Sequence, residues 1–183
     1  AFKTGEPSIA RWCAVLRELG EARFVMASPN LKYAAARQRM TGLFAKYGVA
    51  AHRLTLLGEA DHAQQLARYA VVDLVFDSLP YSGGLTSCEA LWMGVPVLTL
   101  SGDRVAGRHS TSHLSAIGHP ELITSSEDEF IERACGLGRD VELLTGLRAR
   151  LREDMRRSLL CDLSAYADRF TSALCEINFS SEK

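Results

Sequence analysis

The sequence predicts an α/β fold built on a parallel sheet that is covered on both faces. Three observations predict it: short apolar runs alternate with longer helix-favouring ones, the short runs are continuously apolar, and glycines close several of the long ones. Ile9, Trp12, Cys13, Leu16 and Leu19 recur at helical spacing behind Glu6-Pro7-Ser8, and Gly20 stops them. A strand follows over 23–27. Residues 31–47 are rich in Ala, Arg, Leu and Lys and favour a helix, which Gly48 closes in a left-handed cap. A strand over 53–57 and a short helix over 62–69 come next. Residues 74–76 read as a fully buried strand, 86–92 as a helix ended by Gly94, and 97–100 as another strand. Beyond Gly102 lie a helix over 110–116, a strand over 121–123 and a helix opening at Ser125-Ser126 with acids in its first turn. Residues 141–173 are helical with a break near Leu160-Cys161-Asp162, and the arginines over 148–157, interleaved with Leu147, Leu151 and Met155, mark a solvated helix face. The whole is a Rossmann-like three-layer α/β/α sandwich in one domain over 1–183, with C-terminal helices over about 140–177.

At 183 residues and 47% hydrophobic content, the chain is long enough to bury one substantial core. Its net charge of −1 lacks the basic footprint that a phosphate backbone needs, so nucleic acid is not an expected partner. Cys13, Cys88, Cys135, Cys161 and Cys175 show neither a CxxC nor a Cys/His set at metal-ligand spacing, which predicts no metal and a reducing compartment. No run has the length of a membrane span and no signal peptide is evident, so a soluble, cytoplasmic protein is expected. Ala1-Phe2-Lys3 carries no initiator Met and runs almost at once into a helix, as in a piece cut from a longer chain.

The chemistry-bearing stretch is Asp77-Ser78-Leu79-Pro80-Tyr81-Ser82-Gly83-Gly84, because ligands of open parallel sheets sit outside the carboxyl ends of strands. Gly83 and Gly84 allow a backbone path with positive φ, along which the amides of Gly84, Leu85, Thr86 and Ser87 converge. The helix that starts there adds its dipole and unpaired N–H groups, which favour a diphosphate. The hydroxyls of Thr86 and Ser87 are further donors, and Glu89, about one turn in, can accept from a sugar diol. A nucleotide sugar suits that set; a simple tight turn is the competing reading. Neither GxGxxG nor GxxxxGK[ST] is present.

The run "LPYSGGLTSCEALWMGVPVLTLSGDRVAGRHSTSHLSAIGHPELI" resembles the carboxyl half of the catalytic region of O-GlcNAc transferases and the related SPINDLY proteins, bacterial members most of all. The likeness extends through "SEDEFIERACGLGRD" and "LRARLREDMRRSLLCD", and back through "QQLARYAVVDLVFD" to "FKTGEPSIARW". It implies the C-terminal domain of a GT-B glycosyltransferase, which binds a nucleotide-sugar donor, UDP-GlcNAc in the first place, and needs no metal or other cofactor. The parent enzyme would pass the sugar to Ser/Thr hydroxyls of an acceptor protein with inversion. A missing N-terminal catalytic half and TPR repeats are its implied partners.

By position the resemblance makes Lys3 the lysine that contacts the donor diphosphate, and places the nucleobase along the segment with Ala60, Gln65 and Arg68. Gln65 stands where a stacking histidine is expected, and His62 where a second, catalytic lysine is expected, although a shift of a few residues would bring His62 to the nucleobase instead. Leu85 replaces a hydroxyl residue in the Gly83-Gly84 loop, Glu89 occupies the place of the acid that grips the ribose, and Arg108 matches a recurrent arginine. Exchanging a permanent cation for His62 weakens the charge facing the diphosphate. Three readings stay open: an O-GlcNAc transferase, a SPINDLY-like O-fucosyltransferase using GDP-fucose, and a catalytically weakened nucleotide-binding or interaction module.

Overall fold

A computed structural model describes residues 4–180, the side chains of 178–180 excepted. Elements alternate as expected: α1 (Glu6–Glu18), β1 (Phe24–Ala27), α2 (Ala34–Lys46), β2 (Leu54–Leu57), α3 (His62–Ala67), β3 (Val75–Phe76), α4 (Leu85–Trp92), β4 (Val97–Leu100), α5 (His109–Ala116), β5 (Ile123–Thr124), α6 (Glu127–Arg139), α7 (Val141–Arg157) and α8 (Leu163–Ser180). Among the described residues every pairing between strands is parallel.

Local chemistry sets the element ends. Pro7 sits in the first turn of α1, where its missing N–H costs nothing. Asp61 and Gln64 cap α3 reciprocally, and the Ser126 hydroxyl accepts from the Glu129 amide at the start of α6. Gly48 adopts φ +83°, as its place behind α2 predicts. Gly94 takes φ +76° behind α4 and meets the backbone of α7 closely: a Cβ there would lie 2.9 Å from the Arg148 carbonyl oxygen.

β4 is buried along its whole length, as a central parallel strand should be. Val97, Leu98 and Leu100 each contribute about 2 kcal/mol by leaving water. On one face α1 and α6 pack side by side, joined by Arg11, whose Nη2 lies 2.9 Å from Glu127 and whose guanidinium stands over the Phe130 ring. On the other, α7 turns Leu144, Leu147, Leu151 and Met155 inwards. Its arginines are more than a solvated face, since Arg148 donates to the Val72 carbonyl and Arg152 to the Trp92 carbonyl.

Three expectations need correction. β3 is two residues long and half-buried rather than a fully buried strand over 74–76. Residues 120–122 form a 3-10 turn, opened by Pro120, so the last strand begins only at Ile123. Among the described residues the sheet is also divided: β1 pairs with β2, while β3, β4 and β5 form a separate three-stranded sheet. A cleft of about 930 Å³ lies between β1 and β3.

Candidate functional site

The loop between β3 and α4 is organised by Asp77, which ends the strand with only 6% of its surface exposed. Its Oδ1 accepts from the amides of Ser78 (2.8 Å) and Gly83 (2.7 Å), and its Oδ2 from the hydroxyls of Ser82 (2.5 Å) and Thr99 (2.8 Å). A buried carboxylate demands such saturation, because an unpaired charge there would be costly. The Ser82 Oγ in turn accepts from the Ser110 amide at 2.9 Å. Ser110 Oγ lies 3.2 Å from the Gly83 carbonyl and 2.8 Å from Ser87 Oγ. One carboxylate thus ties β3, β4 and the start of α5 to the glycine loop.

That network decides what the glycines do. Gly83 and Gly84 both avoid positive φ, contrary to expectation; among the described residues only Gly48, Gly94 and Gly118 adopt it. Gly83 is required for closeness instead, since a Cβ on it would stand 2.2 Å from Ser87 Oγ. Ser87 is buried with its hydroxyl spent on Ser110, and its amide bonds the Gly84 carbonyl at 3.1 Å. It is therefore a support of the loop and not the outward donor that was expected. The amides of Leu85 and Thr86, at the first positions of α4, have no partner among the described residues. Those two N–H groups and the helix end form the anion-attracting corner. Leu85 is 74% exposed, an apolar side chain standing in solvent beside them.

Facing this corner is α3, which the Asp61–Gln64 box starts at His62. His62 Nε2 lies 3.0 Å from Glu89 Oε1; the Glu89 side chain is 12% exposed and that of His62 72%. An ionised carboxylate can only accept, so Nε2 carries the proton. The structure therefore joins the two residues assigned to diphosphate and ribose. Arg68 donates to Gln65 Oε1 at 2.9 Å, and both line the cleft together with Gly83 and Thr86. Ala60 sits in the turn just before Asp61, and Arg108 is exposed at the start of α5. Lys3 lies outside the described residues.

Sequence reasoning missed Asp77, Thr99 and Ser110 as the builders of the loop, and Tyr69 as its brace. Tyr69 donates to the Thr86 carbonyl at 3.1 Å. Burial first, and the Glu89 charge second, push its phenol up to about 12, so it remains a donor at any physiological pH. The one available signal for Asp77 is an acid placed directly after an apolar strand and ahead of a serine-glycine loop.

The fold defines a Rossmann-like domain of the GT-B glycosyltransferase kind, with the glycine loop at the carboxyl edge of the sheet. The chain belongs to glycosyl transferase family 41, whose match runs over residues 1–170. A tomato (Solanum lycopersicum) protein described as a probable UDP-N-acetylglucosamine–peptide N-acetylglucosaminyltransferase SPINDLY is 34% identical over 155 residues, 82% of this chain and 16% of that protein. The Caenorhabditis elegans UDP-N-acetylglucosamine–peptide N-acetylglucosaminyltransferase is 29% identical over 119 residues, 65% of this chain and 10% of that one. A mutant O-GlcNAc transferase from Thermobaculum terrenum superimposes with a TM-score of 0.85 at 37% identity, covering 91% of this chain and 32% of that chain. The chain therefore spans about a sixth of the length of the plant relatives. Among the described residues no helix is long and apolar enough to cross a membrane.

Proposed function

We propose that this domain holds the nucleotide-sugar donor, UDP-GlcNAc, of an enzyme that transfers the sugar to Ser or Thr hydroxyls of proteins. The observation that carries the reading is the helix end at Leu85 and Thr86, with two unspent amides held in place by the Asp77 network. Diphosphate charge meets those amides and the positive end of α4, so the donor-side chemistry assigned here uses no metal. Lys3 would add a cation to the leaving group, and Arg68 and Gln65 would face the base. Glu89 would accept from the ribose, after exchanging His62 for the diol. Acceptor-side groups belong to an N-terminal half, with TPR repeats selecting proteins, in a cytoplasmic parent enzyme.

Titration calorimetry of residues 1–183 with UDP and with GDP tests the reading. Weak but measurable UDP binding that drops in Glu89→Ala is the expected result, and sugar transfer by residues 1–183 alone is not expected. A clear preference for GDP would favour a fucosyl donor; no binding of either nucleotide would reject the site. The His62–Glu89 pair and exposed Leu85 support a second reading, a domain that keeps the fold but has weakened turnover. Activity of the parent protein decides between the two.

A further inference from the structure

Two cysteines far apart along the chain meet beside α4. Cys88, about one turn into that helix, is half-buried, and its Sγ lies 3.6 Å from Nδ1 of His113 on α5. α7 crosses α4 in the opposite sense: Arg148 meets Gly94, and one turn on Arg152 donates to the Trp92 carbonyl and reaches Met93 Sδ at 3.7 Å. With about 1.5 Å of rise per residue on both helices, the end of α7 comes level with Cys88. There the chain folds back. Ser158 Oγ donates to the Met155 carbonyl and accepts from the Leu160 amide, the Cys161 amide donates to the Ser158 carbonyl at 3.1 Å, and Leu160 packs against the core. Exposed Cys161 is thereby kept at the α4 end of the turn.

Electrostatics agree with that placement. Burial pushes the Cys88 thiol up, and an ionised Cys161 adds to the effect, ahead of the charge on Glu89. Glu89 is the next residue in the chain, so the larger influence of Cys161 requires closeness in space. The two sulfurs differ in access. Cys161 stands in solvent with the Arg156 guanidinium in electrostatic reach, so it meets a dissolved oxidant first. Cys88 is half-covered and stays a thiol. Burial first, and the His109 charge second, hold His113 below the usual imidazole range, so its ring is neutral and Nδ1 can accept the Cys88 proton.

We propose that Cys88 and Cys161 are a redox pair, which a hydroperoxide closes into a disulfide that staples the turn between α7 and α8 to α4. The Cys161 sulfur attacks the peroxide: an S–O bond forms, the O–O bond breaks, and the alcohol or water leaves with the thiol proton, giving a sulfenic acid. Cys88 then passes its proton to His113 Nδ1 and attacks that sulfur. The S–S bond forms, the S–O bond breaks, and the released hydroxide recovers the proton from His113 as water. Two electrons have passed from the thiols to the peroxide. Cys88 precedes Glu89 on α4, so the staple holds the helix that the glycine loop opens, whichever nucleotide that loop takes.

Hydrogen peroxide added to residues 1–183, without nucleotide, tests the pair. Iodoacetamide in denaturant should label all five cysteines before treatment and spare Cys88 and Cys161 after it. Proteolysis should then release a peptide linked through Cys88 and Cys161 that dithiothreitol separates. Cys88→Ser should leave on Cys161 a sulfenic acid that dimedone traps, and Cys161→Ser should leave Cys88 open to labelling. His113→Asn should slow closure about 100-fold while sulfenic acid forms at the same rate, a split that loss of packing alone would not produce. Five labelled cysteines after peroxide, a link made through Cys175 or between two chains instead, or closure as fast without His113 would each overturn the inference.

Discussion

The network around Asp77 and the His62–Glu89 pair lie at the two ends of α4's first turn or so, yet they are built oppositely. Asp77 is buried and saturated by four donors, three from its own loop and one, Thr99, from β4. His62 stands in solvent on one contact, made to a carboxylate that is itself mostly covered. The difference separates scaffold from the surface that the proposed donor would meet. The first group sets where the backbone amides of Leu85 and Thr86 point, whereas the second can change at little cost to the fold.

Mutations should break this contrast in a definite order. Asp77→Ala leaves Ser82, Thr99 and the Gly83 amide without their acceptor in a dry site, and should cost about 3 kcal/mol or more in urea denaturation. Retention of wild-type stability would show that water replaces the carboxylate and that the loop is not organised from the strand end. Gly83→Ala drives a Cβ into Ser87 Oγ, so a loss of about 1–3 kcal/mol is expected, together with loss of nucleotide binding. Binding that survives would separate the amides of α4 from the glycine path.

Tyr69→Phe removes the brace on Thr86 and should cost about 1 kcal/mol. It should also change the alkaline limb of stability. With its folded value raised from 10.0 to about 12, Tyr69 favours the folded state fully below pH 10 and loses that contribution as pH rises through 12. The phenylalanine variant should therefore fall less steeply over that window in a pH series of urea melts. Smallest is His62→Ala: stability should stay within about 0.5 kcal/mol, because the histidine is exposed. Its effect belongs in calorimetry, where freeing Glu89 should change nucleotide affinity. Destabilisation comparable to that of Asp77→Ala would erase the distinction.

Much of the architecture was legible along the chain, because burial on both faces makes parallel strands continuously apolar and glycines behind helices have one favoured use. Gly48 and Gly94 behave so. Gly83 does not, since its need is set by a hydroxyl four residues on that turns inward to Ser110. Spacing could single out the glycine loop at 83–86 and the carboxylate of Glu89 as neighbours at the start of one helix. It could not show that Ser87 is spent, nor that Glu89 already holds His62, because each of those facts depends on which way a side chain faces in a packed neighbourhood. Asp77 escaped for the same reason: Thr99 lies 22 residues away from it along the chain, and Ser110, which it reaches through Ser82, farther still.

The sequence by itself determined the order of strands and helices, their parallel sense and the glycine loop that opens α4, since periodicity and turn chemistry act over neighbouring residues. Only the tertiary structure decided the division of the sheet at β1 and β3, the spending of Ser87 and Ser110 on the scaffold, and the pairing of His62 with Glu89. Those outcomes arise from contacts between residues far apart along the chain, whose geometry exists only once the layers have packed.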